Sequence, residues 1–174
     1  MKKLIIFISL LTGFFAAHAQ MLKKTAIRDG NNESGCFIYG YCDFKFQTSF
    51  SEDSSTIYMA ECAADSLTYG AICVKLKDAL PTLDDAENIT ISYLDYLKTS
   101  FSISKSTGYG KGHTLRNNEN TRGILDFWED DKQNNWKVKA WTNKKYIVVL
   151  YASSSKDVST PKIDVYLNGL VFPD

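Results

Sequence analysis

Histidine is scarce in this chain, and its scarcity limits the available chemistry. The 174 residues include only 2 histidines, and His18 lies in an N-terminal segment that we expect to be removed. Catalysis of the Ser–His–Asp or Cys–His type would therefore depend on His113, which has no G-x-S-x-G motif near it. One imidazole also cannot build a multi-histidine metal site. The sequence predicts no metal and no cofactor, and it favours a non-catalytic protein over an enzyme.

The chain also lacks an excess of charge of either sign. Its 20 basic and 20 acidic residues balance. Loss of an N-terminal segment that contains Lys2 and Lys3 would leave it slightly acidic. Proteins that bind nucleic acids usually carry a marked basic surface. We therefore predict no nucleic-acid partner.

A long apolar run is missing after the N-terminus, so we predict no stable membrane insertion of the mature protein. The N-terminus has the three parts of a secretory signal peptide, which we place at residues 1–19. These parts are Lys2-Lys3, the apolar run 4–15 and the A-x-A motif Ala17-His18-Ala19. Cleavage after Ala19 would yield a periplasmic or secreted protein.

The chain after the expected cleavage site shows no internal repeat and no domain-sized linker. Residues 20–35 are polar and rich in asparagine and glycine, which predicts a flexible N-terminal arm. Residues 36–174 have the length of one domain with a proper core.

Four cysteines, Cys36, Cys42, Cys62 and Cys73, follow the predicted signal. An even number in an exported chain predicts disulfides, and the spacing does not fit the close pairs of zinc sites. Of three possible connectivities we favour Cys36–Cys42 and Cys62–Cys73. The second bond requires a hairpin whose turn is centred on Leu67-Thr68. The alternative is that all four are reduced, buried apolar residues.

Hydrophobic periodicity predicts an α+β chain that combines strands with two helices. Thr82 and Asp85 form a capping signature for the main helix, and Thr160 precedes Pro161 as the expected start of the second. Bulky apolar residues on both faces of the meander predict a sheet that is covered on both sides. The predicted order is a half-buried strand over residues 42–50, a hairpin over 57–76, a helix over 83–101, a three-stranded meander over 123–153 and a short helix that stops at Asn168-Gly169.

The stretch DFWEDDKQNNWKVKAW, residues 126–141, is rich in acids. A calcium loop of the D-x-[DN]-x-[DN]-G type needs a glycine and an alternation of ligands that this stretch does not have. We interpret it as a hairpin with a solvated tip. Asp130 and Asp131 should then be exposed and contribute little to stability.

Four segments resemble the PsbP-like α/β/α superfamily. They are FKFQTSF at 44–50, YGAICVKLKD at 69–78, KKYIVVLYASS at 144–154 and YLNGLVF at 166–172. The proline that often ends the first strand in that family is replaced here by Ser49-Phe50-Ser51. The resemblance implies an antiparallel sheet between helices, in a family whose members mostly bind proteins or support assembly. A cystatin-like or nuclear-transport-factor-like α+β fold is the alternative.

These observations predict an exported, non-catalytic binding or assembly module of the cell envelope with a protein partner. A small secreted hydrolase is the alternative function. The expected contact surface is the glycine-rich segment 105–122, because loops on a rigid scaffold often carry recognition. Its cationic and aromatic side chains suit an interface or an anionic group, and they are Lys105, Tyr109, Lys111, His113, Arg116 and Arg122.

Overall fold

The structure is a computed structural model that describes residues 21–173, so the predicted signal peptide lies outside the described residues. In the described part the chain forms eleven strands and two helices. In chain order they are β1 (Lys23–Asp29), β2 (Asn32–Gly40), β3 (Gln47–Phe50), β4 (Thr56–Ala64), β5 (Leu67–Lys75), α1 (Leu83–Ser100), β6 (Ile103–Ser106), β7 (Gly110–Leu115), β8 (Asn118–Asp130), β9 (Asn135–Thr142), β10 (Tyr146–Ser154), α2 (Pro161–Leu167) and β11 (Leu170–Val171).

The strands form two antiparallel sheets. The large sheet has the order β3-β4-β5-β10-β9-β8-β6, and β7 also pairs with β8. The small sheet has the order β1-β2-β11. The predicted α+β class, an antiparallel sheet with two helices, is confirmed.

The large sheet is covered on both faces, as the apolar residues on both sides of its strands predict. On the helix face, Leu94 and Leu97 of α1 pack with Ile124, Val138 and Val149 in one core. The opposite face packs against α2 and the small sheet and forms a second core. Alternate residues of one strand enter different cores because strand side chains point to alternate faces.

Both helices begin where their caps predict. The Thr82 hydroxyl accepts a hydrogen bond from the Asp85 backbone N–H at 3.0 Å, and the Asp85 carboxylate accepts from the Thr82 N–H at 3.2 Å. This reciprocal capping box satisfies two donors that the first turn of α1 leaves free. α2 starts at Pro161 directly after Thr160, and it ends at Leu167 before Asn168.

The hairpin of β4 and β5 forms as predicted, but its turn is not centred on Leu67-Thr68. The turn residues are Asp65 and Ser66, with φ of 53° and 64°. Positive φ at both central residues is the type I′ geometry that suits the twist of a two-residue hairpin. The shifted register places Cys62 opposite Tyr69 and Cys73 opposite Tyr58.

The favoured disulfide connectivity is therefore wrong. Cys42 and Cys62 form the bond, with their Cα atoms 5.9 Å apart, whereas Cys36 and Cys73 are buried free thiols. Cys62 and Cys73 do not face each other across the hairpin, which removes the predicted bond between them. The observed bond fixes the irregular segment before β3 to strand β4.

Two other predictions need correction. The described part of the expected arm 20–35 contains β1 and the start of β2, and Ile27 there is fully buried in the core. The predicted strand 42–50 pairs with the sheet only from Gln47 onward, although Phe44 and Phe46 are buried as the alternation indicates. The alternation of apolar residues over 42–50 therefore predicted which side chains are buried, but not where strand pairing begins.

Candidate functional site

The predicted contact surface, residues 105–122, is not a loop. It contains the end of β6, all of β7 and the start of β8, and it forms one edge of the large sheet. Gly108 and Gly112 have φ of 96° and 87°, a region open to glycine and costly for other residues. The glycines thus serve an irregular edge strand. We call residues 105–122 the edge segment.

Two lysines of the edge segment are paired with acids. The Lys105 ammonium lies 2.7 Å from the Glu129 carboxylate, and the Lys111 ammonium lies 3.4 Å from that of Glu87 on α1. Each pair joins the edge to a neighbouring element. Their positive charge is therefore partly offset by partners on the protein itself.

The other residues predicted in this segment point in different directions. His113 lies beside Trp141, on the face of the sheet away from α1. Burial and then nearby Lys139 lower the pKa of His113. Arg116 lies in the turn between β7 and β8 with φ of 51°. Arg122 donates to the carbonyl oxygen of Glu119 in its own hairpin at 3.0 Å. The structure does not bring these side chains together into one site.

Tyr109 belongs to an internal network on the helix face. Its hydroxyl accepts a hydrogen bond from Lys98 at 2.9 Å and donates one to Asp95. The Lys98 ammonium also lies 4.2 Å from the centre of the Tyr109 ring. Tyr109 therefore anchors the edge segment to α1.

The centre of that network is Asp126, which is 1% exposed. Its carboxylate lies 3.1 Å from the Lys98 ammonium, which offsets the cost of burying the charge. Five donors also bond to it: Ser106 Oγ at 2.8 Å, Thr107 Oγ1 at 3.3 Å, Gly108 N at 3.1 Å, Phe127 N at 2.8 Å and Trp128 Nε1 at 2.6 Å. A carboxylate with this many internal partners fixes structure.

Asp130 was predicted to be exposed, but it is 94% buried, with 6% of its surface exposed. Its carboxylate accepts hydrogen bonds from the backbone N–H groups of Lys132 and Asn134 at 2.9 and 2.8 Å and from Trp136 Nε1 at 3.1 Å. Burial alone would raise the pKa of Asp130, but these donors outweigh it and lower the pKa. Asp131 is exposed as predicted. The acidic stretch is thus a hairpin whose tip is organised by one buried acid.

A better candidate for a site is a groove at the other end of the helix face. It has a volume of about 440 Å³, within the range of roughly 300–1,000 Å³ that ligand sites usually occupy. It opens on the helix face beside the end of α1, where Met59 and Glu61 of β4 are exposed. We call it the groove, and its lining residues are Lys45, Gln47, Met59, Ala60, Glu61, Ala71, Ile72, Phe101 and Tyr151.

The floor of the groove is aromatic. The rings of Phe101 and Tyr151 lie 5.5 Å apart, and Tyr151 is only 2% exposed. The Tyr151 hydroxyl donates to Glu61 Oε1 at 2.5 Å. Burial, followed by this bond to a carboxylate, raises the pKa of Tyr151. The floor is therefore a fixed, neutral surface at physiological pH.

The rim combines apolar and charged groups. Met59 is 44% exposed although it lies in the middle of β4, and a thioether adapts readily to different partners. Lys45 lies just before β3 and Gln47 is the first residue of β3, and both side chains are exposed at one side of the rim. The disulfide from Cys42 to Cys62 ties this side to β4. The groove thus offers an apolar centre beside the cation of Lys45, the amide of Gln47 and the carboxylate of Glu61.

Sequence reasoning missed the groove because its residues come from separate elements. Lys45 and Phe101 are far apart in the chain, and neither belongs to a motif. One local signal was present, since Met59 falls on the face that also holds Ile57 and Glu61. A charged residue next to apolar residues on one face of a strand indicates that other elements bury only part of that face.

Within residues 21–173, no three histidine, cysteine, aspartate or glutamate side chains form a group that could hold a metal ion. No helix in that range is long and apolar enough to cross a membrane. Comparisons with family models, curated proteins and solved structures found no match to this chain.

Proposed function

We propose that the protein is an exported, non-catalytic binding module that recognises a partner protein in the groove. The partner segment inserts an apolar side chain above Phe101 and Tyr151. A carboxylate on the same segment meets the ammonium of Lys45.

The chemistry of the groove supports a protein ligand. Binding sites on proteins are mostly apolar, with a few polar groups that set orientation. Met59, at 44% exposure, is the observation that carries the proposal, because it leaves apolar surface open next to an aromatic floor. Contact with a partner would remove that surface from water.

The partner is placed on the sheet face and not on the sheet edge for a physical reason. The outward N–H of Thr48 in edge strand β3 already donates to the Asp29 carboxylate at 3.0 Å. An added strand would need that donor and would have to displace Asp29. The groove requires no such displacement.

Two observations support export. The sequence has a signal-peptide pattern at residues 1–19. The bond between Cys42 and Cys62 is of a kind that persists in oxidising compartments. We further propose membership of the PsbP-like superfamily, since a sheet with a helix on each face is the architecture that the resemblance implies.

Photo-crosslinking in the native envelope tests the binding site. A benzophenone amino acid at position 59 should give a crosslinked product with a partner protein. Position 165 on α2 is the matched control, because Val165 is 47% exposed and Met59 is 44% exposed. A third variant carries the crosslinker at position 116 and tests the edge segment.

We expect a product at position 59 that is absent at positions 165 and 116. It should weaken when Lys45→Glu reverses the charge of the rim. Equal products at all three positions, or a product only at position 116, would reject the groove. Recovery of the chain with residues 1–19 intact would reject export.

A further inference from the structure

The two free cysteines lie together between the sheets. Cys36 is in β2 of the small sheet and Cys73 is in β5 of the large sheet. They are 1% and 0% exposed and belong to the same core. Cys36 is the largest influence on the pKa of the Cys73 thiol, as expected of neighbouring side chains. Two thiols from different sheets are therefore held against each other out of solvent.

The surroundings fix this contact. The backbone N–H of Cys36 donates to Ser34 Oγ at 3.0 Å, and the Tyr146 hydroxyl donates to the Ser34 carbonyl oxygen at 2.9 Å. Tyr58, the partner of Cys73 in the β4–β5 ladder, donates to Asn32 Oδ1 at 2.9 Å. The two tyrosine bonds join β2 to β10 and to β4, the two strands that flank β5 in the large sheet. They place β2 across β5.

The observed disulfide indicates the conditions in which the chain folds. Cys42 and Cys62 are bonded, so the chain meets an oxidant. Once these two are paired, Cys36 and Cys73 are the only cysteines left to pair with each other.

We propose that Cys36 and Cys73 form a second disulfide that joins the small sheet to the large sheet. One thiolate attacks a disulfide oxidant, such as glutathione disulfide or the disulfide of a thiol oxidase, forms a mixed disulfide and releases the first sulfur of the oxidant as a thiolate. The second cysteine thiolate then attacks the mixed disulfide, forms the Cys36–Cys73 bond and releases the other sulfur of the oxidant. Two electrons pass to the oxidant, and the two protons lost by the cysteines end on its sulfur atoms.

The bond forms during folding and not afterwards. In the closed structure, the neighbouring Cys36 thiol and then burial raise the pKa of the Cys73 thiol. The thiolate is the reactive form, so the closed pair is inert. Oxidation therefore precedes the closing of the small sheet over β5.

Refolding of the full chain tests this inference without reference to export. The reduced, unfolded protein is refolded in a glutathione redox buffer, then denatured with iodoacetamide and no reductant. Trypsin cannot resolve the connectivity, because no lysine or arginine separates Cys36 from Cys42 or Cys62 from Cys73. Chymotrypsin can, since Tyr39 and Tyr69 lie between the members of each pair.

We expect no alkylated cysteine in the wild type and a chymotryptic peptide pair that links Cys36 to Cys73. A Cys42→Ala, Cys62→Ala variant should keep this link, and a Cys36→Ala, Cys73→Ala variant should keep the other. Alkylation of both Cys36 and Cys73 in refolded wild type, with Cys42 and Cys62 bonded, would overturn the inference. So would a link from either residue to Cys42 or Cys62.

Discussion

The two ends of the large sheet are held together by different kinds of interaction. At the β6–β8 end, the buried carboxylates of Asp126 and Asp130 collect hydrogen bonds from strands and turns. At the β3–β4 end, a covalent bond between Cys42 and Cys62 fixes the chain, and the helix face stays open. The first end is closed and polar inside, whereas the second is open and apolar at its centre.

The comparison shows that the residues which suggested chemistry in the sequence serve the fold. Asp126, Asp130 and Tyr109 are engaged with internal partners. The groove is instead lined by residues such as Met59 and Ile72, which belong to patterns typical of a core. The two ends should therefore respond differently to substitution.

The largest expected effect is at the closed end. Asp126→Ala should lower the free energy of unfolding by about 3–5 kcal/mol, because five internal donors lose their acceptor and the Lys98 ammonium loses its nearest carboxylate. Urea denaturation followed by tryptophan fluorescence measures it. Asp126→Asn should cost less, since one acceptor oxygen remains for the donors around it. A loss below about 1 kcal/mol for Asp126→Ala would show that the closed end does not depend on this carboxylate.

The covalent bond at the open end should contribute somewhat less. Cys42 and Cys62 are 20 residues apart, and a loop of that size contributes about 3 kcal/mol by the chain-entropy model. The Cys42→Ala, Cys62→Ala variant should therefore unfold at a lower urea concentration. Hydrogen exchange should increase at residues 41–47 and not at β8. An equal increase in hydrogen exchange at both ends would show that the two ends of the sheet are not stabilised independently.

A third test compares neighbouring acids at the tip of the β8–β9 hairpin. Asp130→Ala removes an acceptor from several buried donors and should cost about 1–3 kcal/mol. Asp131→Ala, at an exposed position, should change the free energy of unfolding by less than about 0.5 kcal/mol. Similar values for the two variants would mean that the hydrogen bonds of Asp130 do not stabilise the tip.

The stabilisation by Asp130 should also depend on pH. Hydrogen bonds hold the pKa of Asp130 in the folded protein below its ordinary value of 3.8. Its contribution is therefore fully present above the pKa of the unfolded chain and is lost as the pH falls through the folded pKa. The difference between wild type and Asp130→Ala should be constant near neutral pH and should shrink below about pH 4. A difference that grows below about pH 4 would contradict a lowered pKa of Asp130 in the folded protein.

The smallest effect is expected in the groove. Met59→Ser should change the free energy of unfolding by less than about 0.5 kcal/mol, because its side chain is largely exposed and fills no core space. A wild-type-like melting curve together with weaker partner binding would complete the contrast with Asp126→Ala. A loss above about 2 kcal/mol would show that Met59 belongs to the core.

The sequence predicted elements whose causes are local. The start of α1 followed from Thr82 and Asp85, which contact each other within one helical turn. The meander followed from three runs of β-forming residues over 123–153 that are joined by polar turns. The edge segment was missed as strand because glycines lower strand propensity, and its pairing depends on β8.

Features that depend on packing between distant segments could not be predicted. The partner of Cys42 is set by how the irregular segment before β3 crosses β4, which no local pattern encodes. Asp126 is an intermediate case. Alternation places it on the same face as Ile124 and Trp128, and that signal indicates burial, but its charge suggested a surface position.

A glycine, Gly70, sets the depth of the groove. The Tyr151 ring lies directly over Gly70, where an added Cβ would stand 2.0 Å from the ring carbon Cζ. Any larger residue at position 70 would lift the ring, break its bond to Glu61 and fill the groove from below. One methyl group at position 70 would therefore change the shape of the groove while every residue of its lining is kept.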